Sequence, residues 1–255
     1  MQLSELYNKF KMMPLKHLLI VVLLILSAVN YQVVGLDYLP FWLLIVFSTL
    51  ASDSVIKYID EKKLIVSDSA MVSALIIGGV FFTQDFLVAA LVGPIAMLGK
   101  RIIKINKGHI FNPANFGIFL TSLLFANASQ SWWFTGSLFI VAVFYLTYRQ
   151  RTLWSVTVPF LAILTALFGV QAFLSTGSIG FGFVQAFVLD PTTFFFACIM
   201  LVEPMTLPRR KGRMIFAGIA ALATFALSFT PWGLGVIGGL VVADLFVPLL
   251  NRFVK

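Results

Sequence analysis

Residues 188–213 read VLDPTTFFFACIMLVEPMTLPRRKGR, a run polar at both ends and almost pure hydrocarbon between. Two adjacent hydroxyls, Thr192 and Thr193, follow Asp190-Pro191, and a carboxylate, Glu203, closes the run just before Arg209, Arg210, Lys211 and Arg213. Asp190 is a good helix cap and Pro191 suits a first turn, so capping alone accounts for part of the pattern. The other part is chemistry. A threonine at the mouth of an apolar helix can carry or contact a ligand, and an acid at its far end can pair with a cation. A second polar stretch, KINKGHIFNPANFGIFL at 104–120, offers Asn112 as a cap before Pro113. Capping does not explain Asn115, which a helix would turn toward a bundle interior. Lys100 and Arg101 stand just upstream.

Two further acids sit in apolar surroundings, where carboxylates are costly and mark function. Asp53 has Lys57 four residues on, close enough on a helix to neutralise it, whereas Asp244 has no basic neighbour in GGLVVADLFVPLL. Asp244 and Asp53 are therefore candidates for an ion or substrate pathway. No nucleophile triad, phosphate-binding loop, paired carboxylates or dinucleotide-binding glycine pattern is present. One cysteine, Cys198, excludes an intramolecular disulfide and argues against a thiolate metal cluster. Two histidines, His17 and His109, give poor support for bis-histidine haem ligation.

These residues must be held by membrane helices. Of 255 residues, 60% are hydrophobic and 11% charged, with 27 Phe. Globular soluble chains are about a quarter charged. Ten apolar segments are expected, at 15–36, 41–58, 69–82, 86–103, 113–127, 131–147, 152–174, 191–202, 212–229 and 233–250. The third and eighth are too short to cover a hydrocarbon core of roughly 30 Å at 1.5 Å per residue. All 18 Lys and Arg fall before the first segment, after the last, or in the connections after segments two, four, six and eight. By the positive-inside rule both termini are cytoplasmic, and the basic balance reads as orientation in a cytoplasmic membrane and contact with lipid, not nucleic acid. The expected fold is an all-α, multi-pass membrane protein forming one domain over 1–255, with inverted halves at roughly 15–127 and 131–250. Broken helices at segments three and eight would then flank the site.

Several blocks together resemble a known family. SALIIGG at 73–79, GPIAMLGKRI at 93–102, HIFNPANFG at 109–117, VEPMTLPRRKGRMIFAGI at 202–219 and ADLFVPLLNRF at 243–253 resemble, in order and spacing, motifs of the D subunit of the Rnf electron-transport complex and the B subunit of the sodium-pumping NADH:quinone reductase. The resemblance implies a ten-helix inverted repeat similar to that of urea channels. It implies a flavin, FMN or riboflavin, and in the family FMN is esterified to a threonine that corresponds here to Thr193. The family's S-G-A-T is replaced by Asp190-Pro191-Thr192-Thr193, which counts against a covalent tether. Glu203 stands for the family's Asp, Asp244 for Asn and Asn251 for Asp. The expected function is a flavin-binding membrane subunit that passes electrons across the bilayer, coupled to cation movement and dependent on partner redox subunits. One flavin is expected near Thr192 and Thr193 and a second near Lys100, Arg101, Asn112 and Asn115, with Asp190 and Glu203 as further cofactor-binding candidates. The alternative is a stand-alone transporter or channel for a flavin or another small planar solute such as urea. A third option is a structural subunit without a ligand.

Overall fold

The computed structural model describes residues 13–105, 108–125, 129–130, 152–178, 190–230 and 233–253. The described chain is mostly helical. Helix α1 is Leu15–Val34, α2 Leu39–Glu61, α3 Asp68–Val80, α4 Phe86–Ile102 and α5 Pro113–Leu124. A π-helical turn, Leu153–Thr157, leads into α6, Val158–Thr176. Helix α7, Pro191–Phe195, continues as a second π turn, Phe196–Met200, before α8, Arg213–Leu227, and α9, Gly235–Phe253. Nine of the ten apolar segments thus coincide with helical elements, and the expected segment at 131–147 lies outside the described residues.

Three helical stretches, Leu36–Glu61, Leu153–Thr176 and Gly235–Phe253, are long and apolar enough to cross a membrane. Helices α3, α4, α5, α7 and α8 are shorter. Helix α3 has 13 residues, and α7 with its π turn spans 191–200, as the sequence lengths led one to expect. Helix starts are fixed locally. The Ser67 side chain accepts from the Ala70 amide, Asp85 from Leu87 and Val88, Asn112 from Asn115, and Asp190 from Thr193. Each occupies amides that the first helical turn cannot pair internally.

Packing forms two chains of neighbours: α2 lies on α4 and α4 on α5, while α6 lies on α8 and α8 on α9. Helices α5 and α9 join the two. Small residues set the closest approaches, as expected where lipid removes any hydrophobic drive between helices. A Cβ added at Gly93 of α4 would stand 2.7 Å from the Thr49 Cα of α2, and one at Gly239 of α9 would stand 2.8 Å from the Thr224 amide nitrogen of α8. The described residues also hold two 3-10 turns, Leu36–Tyr38 and Arg210–Gly212, and two short antiparallel pairs, Phe81–Phe82 with Ser129–Gln130 and Lys104–Ile105 with Gly108–His109.

Candidate functional site

Asn112 stands where three elements meet. Its Oδ1 caps α5 by accepting from the Asn115 amide at 3.1 Å. Its Nδ2 donates to the Met200 carbonyl at 3.1 Å, at the end of the π turn that extends α7. Its own amide donates to Asp244 Oδ2 at 3.1 Å, which places the acid of α9 against the N-terminal end of α5. Unpaired amides and the helix dipole favour negative charge there. One turn along, Asn115 Nδ2 donates to the Ile237 carbonyl of α9 at 2.9 Å. Asp244 and Asn115 are both 0% exposed. The interior position expected for Asn115 is therefore observed, and its partner is a backbone carbonyl. Asp244 Oδ1 and Asn115 Oδ1 have no hydrogen-bond partner.

Beside this junction is a cavity of about 180 Å³ whose polar wall is Lys16, Ser69, Ser73, Asn112 and Glu203. Lys100 Nζ donates to Ser69 Oγ at 3.1 Å and lies 3.8 Å from Asp53 Oδ1. Asp53 also faces Lys57 at 3.7 Å and accepts from the Ser67 hydroxyl at 2.7 Å. The expected Lys57 partner is present, and a second cation joins it from α4. Glu203 Oε1 lies 3.6 Å from His109 Nε2, and its other oxygen is buried without a partner. Glu203 makes no ion pair with the nearby arginines among the described residues. Arg101 is apart from this group: its half-buried guanidinium pairs with Asp60 at 2.5 Å.

Thr193 belongs to the other end of the α7 segment. At about 1.5 Å per helical residue, Asp190 and Glu203 are roughly 20 Å apart. Asp190 Oδ2 accepts the Thr193 amide at 2.7 Å. Thr193 and Asp190 share the wall of a second cavity, about 150 Å³, with Thr165, Phe168, Thr224 and Ser228. Thr192 is not part of that wall. The candidate residues therefore sort into two places: Asp190 and Thr193 at one end, and Lys100, Asn112, Asn115, Glu203, Asp244 and Asp53 at or near the end that carries the basic residues.

No protein-family model matches this chain, and no curated protein matches it. The functional argument therefore rests on the chain's own residues. Several of those were not singled out in the sequence. His109 lay inside a quoted motif without a role, and nothing local ties it to Glu203, 94 positions away. Thr224 and Ser228 carry a faint signal, two hydroxyls one helical turn apart in an otherwise apolar segment. Ser69 gave no signal beyond its place in a capping sequence.

Each of these two cavities limits the size of the group it can enclose. Pockets for drug-sized ligands run about 300–1,000 Å³. Neither cavity encloses a three-ring flavin head as it stands, whereas each can take a smaller group.

Proposed function

We propose that this chain is a flavin-binding, multi-pass subunit of an Rnf- or Nqr-like electron-transport system in the cytoplasmic membrane. Its termini face the cytoplasm, and its ten segments form two inverted sets of five. The two matching chains of helix packing, joined at α5 and α9, support the inverted arrangement. The basic residues gathered at one end of the segments support the orientation. The observation that carries the flavin reading is the placement of Thr193: a hydroxyl in the first turn of a broken helix, on a cavity wall, at the end opposite the Asn112 junction.

A bound flavin would supply one- and two-electron redox chemistry. The chain's own part is to hold one such group at Thr193 and a second beside Lys100, Asn112, Ser69 and Glu203, with the hydrocarbon of 194–202 between them. No nicotinamide site or iron–sulfur motif was read in the sequence, so electron donors and acceptors are partner subunits. Asp244, with one bonded and one unbonded oxygen, is the group we assign to cation coupling.

One observation favours a second reading. The cavity beside Asn112 is walled by both donors and acceptors and is small enough for a urea-sized planar solute, which suits a stand-alone transporter. Purified protein separates the two. Visible absorbance, flavin fluorescence on a denaturing gel and intact mass are read for the wild type and Thr193→Ala. Flavin retained through purification supports the redox subunit. Flavin that is absent and is not taken up when added refutes it and leaves the transporter.

A further inference from the structure

The cavity at Thr193 is a polar pocket in an apolar setting. Thr165, Thr193, Thr224 and Ser228 each contribute to its wall, together with the carboxylate residue Asp190. The Thr224 hydroxyl is buried against Gly239 of α9, and the Ser228 hydroxyl donates to the Thr224 carbonyl at 2.8 Å, which leaves the Ser228 hydroxyl free to accept. Hydroxyls both donate and accept, and an ionised carboxylate accepts only, so this wall suits a group rich in O–H. It does not suit a phosphate. The Thr193 amide, which a phosphate oxygen would use, is already taken by Asp190 at 2.7 Å. No described residue of the wall is basic, and the acid adds a negative charge. The volume, about 150 Å³, is that of a cavity which holds one benzene-sized group. A five-carbon polyol fits such a space, and a three-ring head does not.

We propose that this cavity receives the ribityl chain of an unphosphorylated flavin, held without a covalent bond, and that it rejects flavin phosphates. The inference rests on the flavin reading above and names which flavin is taken at this end. It assigns Asp190 as the residue that sets the preference, through its charge, and Thr165 as a polyol contact.

The test uses the full chain in detergent, titrated separately with riboflavin and with FMN, which differ only by the phosphate, with flavin fluorescence quenching as the readout. Riboflavin is expected to bind at least tenfold tighter than FMN. In Asp190→Asn the capping acceptor stays and the charge goes. The gap should then close to under threefold, chiefly through tighter FMN binding. Thr165→Val should weaken riboflavin several-fold with the melting temperature unchanged, and Ser228→Ala serves if that variant melts early. FMN binding as tightly as riboflavin, an unchanged gap in Asp190→Asn, or an FMN adduct in the intact mass each overturn the inference and leave the flavin reading standing. Failure to bind either flavin overturns both.

Discussion

Asn112→Ala tests whether one side chain ties the two broken segments together. The substitution removes two bonds at once. Loss of Oδ1 uncaps α5, which typically costs about 1 kcal/mol. Loss of Nδ2 leaves the Met200 carbonyl without its donor in a residue that is 1% exposed, and an orphaned buried acceptor costs about 1–3 kcal/mol. The sum is roughly 2–4 kcal/mol. With about 2–4 °C per kcal/mol for chains of similar length, the melting midpoint should fall by roughly 5–15 °C. Asn112→Ser separates the two parts. Its hydroxyl can still cap the helix but does not reach Met200, so it should recover about 1 kcal/mol of the loss. The assay is thermal unfolding in detergent, followed by tryptophan fluorescence and by loss of the monodisperse peak on size exclusion. An Ala variant that melts within about 2 °C of the wild type would refute the view that Asn112 joins α5 to the end of the α7 segment. Equal midpoints for Ser and Ala would instead show that the cap contributes nothing.

Gly93→Ala and Gly239→Ala should each destabilise by about 1–3 kcal/mol, because backbone atoms of Thr49 and Thr224 stand where the new Cβ must go. Gly108→Ala, whose Cβ meets nothing within 4 Å, should melt like the wild type in the same assay. Asp53→Asn removes the charge between Lys57 and Lys100 while keeping an acceptor for Ser67, and should lower the midpoint; adding Lys100→Met should recover part of that loss, and strict additivity in the double variant would show that the two groups do not interact. Because Cys198 is buried, a membrane-impermeant maleimide reads introduced cysteines against a low background. Lys63→Cys should label only in inverted vesicles and Gln84→Cys only in right-side-out ones, and the opposite pattern would reverse the assigned orientation.

What was legible in the sequence was local. Asp190-Pro191 and Asn112-Pro113 announce their helices because a cap acts within three residues of itself, and both caps are formed. The short third and eighth segments were visible as lengths of hydrocarbon. Lys57 was findable for Asp53 at four residues' spacing, but Lys100, from another helix, was not. The donor to Asp244 lies 132 positions away in Asn112, and no pattern in either segment points to the other. The usual guide to such pairings is a helix's apolar stripe, which marks the face that packs. Here lipid and protein are both apolar, so nearly every face is hydrophobic and the stripe vanishes. Small residues replace it as the signal. Gly93 and Gly239 do mark the tight crossings, yet a glycine identifies a close approach without naming its partner. The π turn at Phe196–Met200 was equally invisible, since it sits inside an unbroken apolar run.

The three acids in apolar surroundings differ in how far their needs are met, and that difference ranks them as functional groups. Asp53 accepts from the Ser67 hydroxyl and lies between two ammonium groups, so its charge is answered within the fold. Such an acid stabilises the α2–α3–α4 contact and leaves little for a passing ion to gain. Asp244 has one oxygen on the Asn112 amide and the other unbonded at 0% exposure, and Glu203 has one oxygen near His109 and the other buried and unbonded. A buried acceptor left unmet keeps a standing affinity for a cation, because binding one removes a desolvation cost. The sequence suggested both Asp53 and Asp244 for a pathway and already offered Asp53 a neutralising Lys57. Physically they separate: Asp244, with Glu203 on the other side of Asn112, retains unsatisfied oxygens at the junction between the two sets of helices, and Asp53 does not.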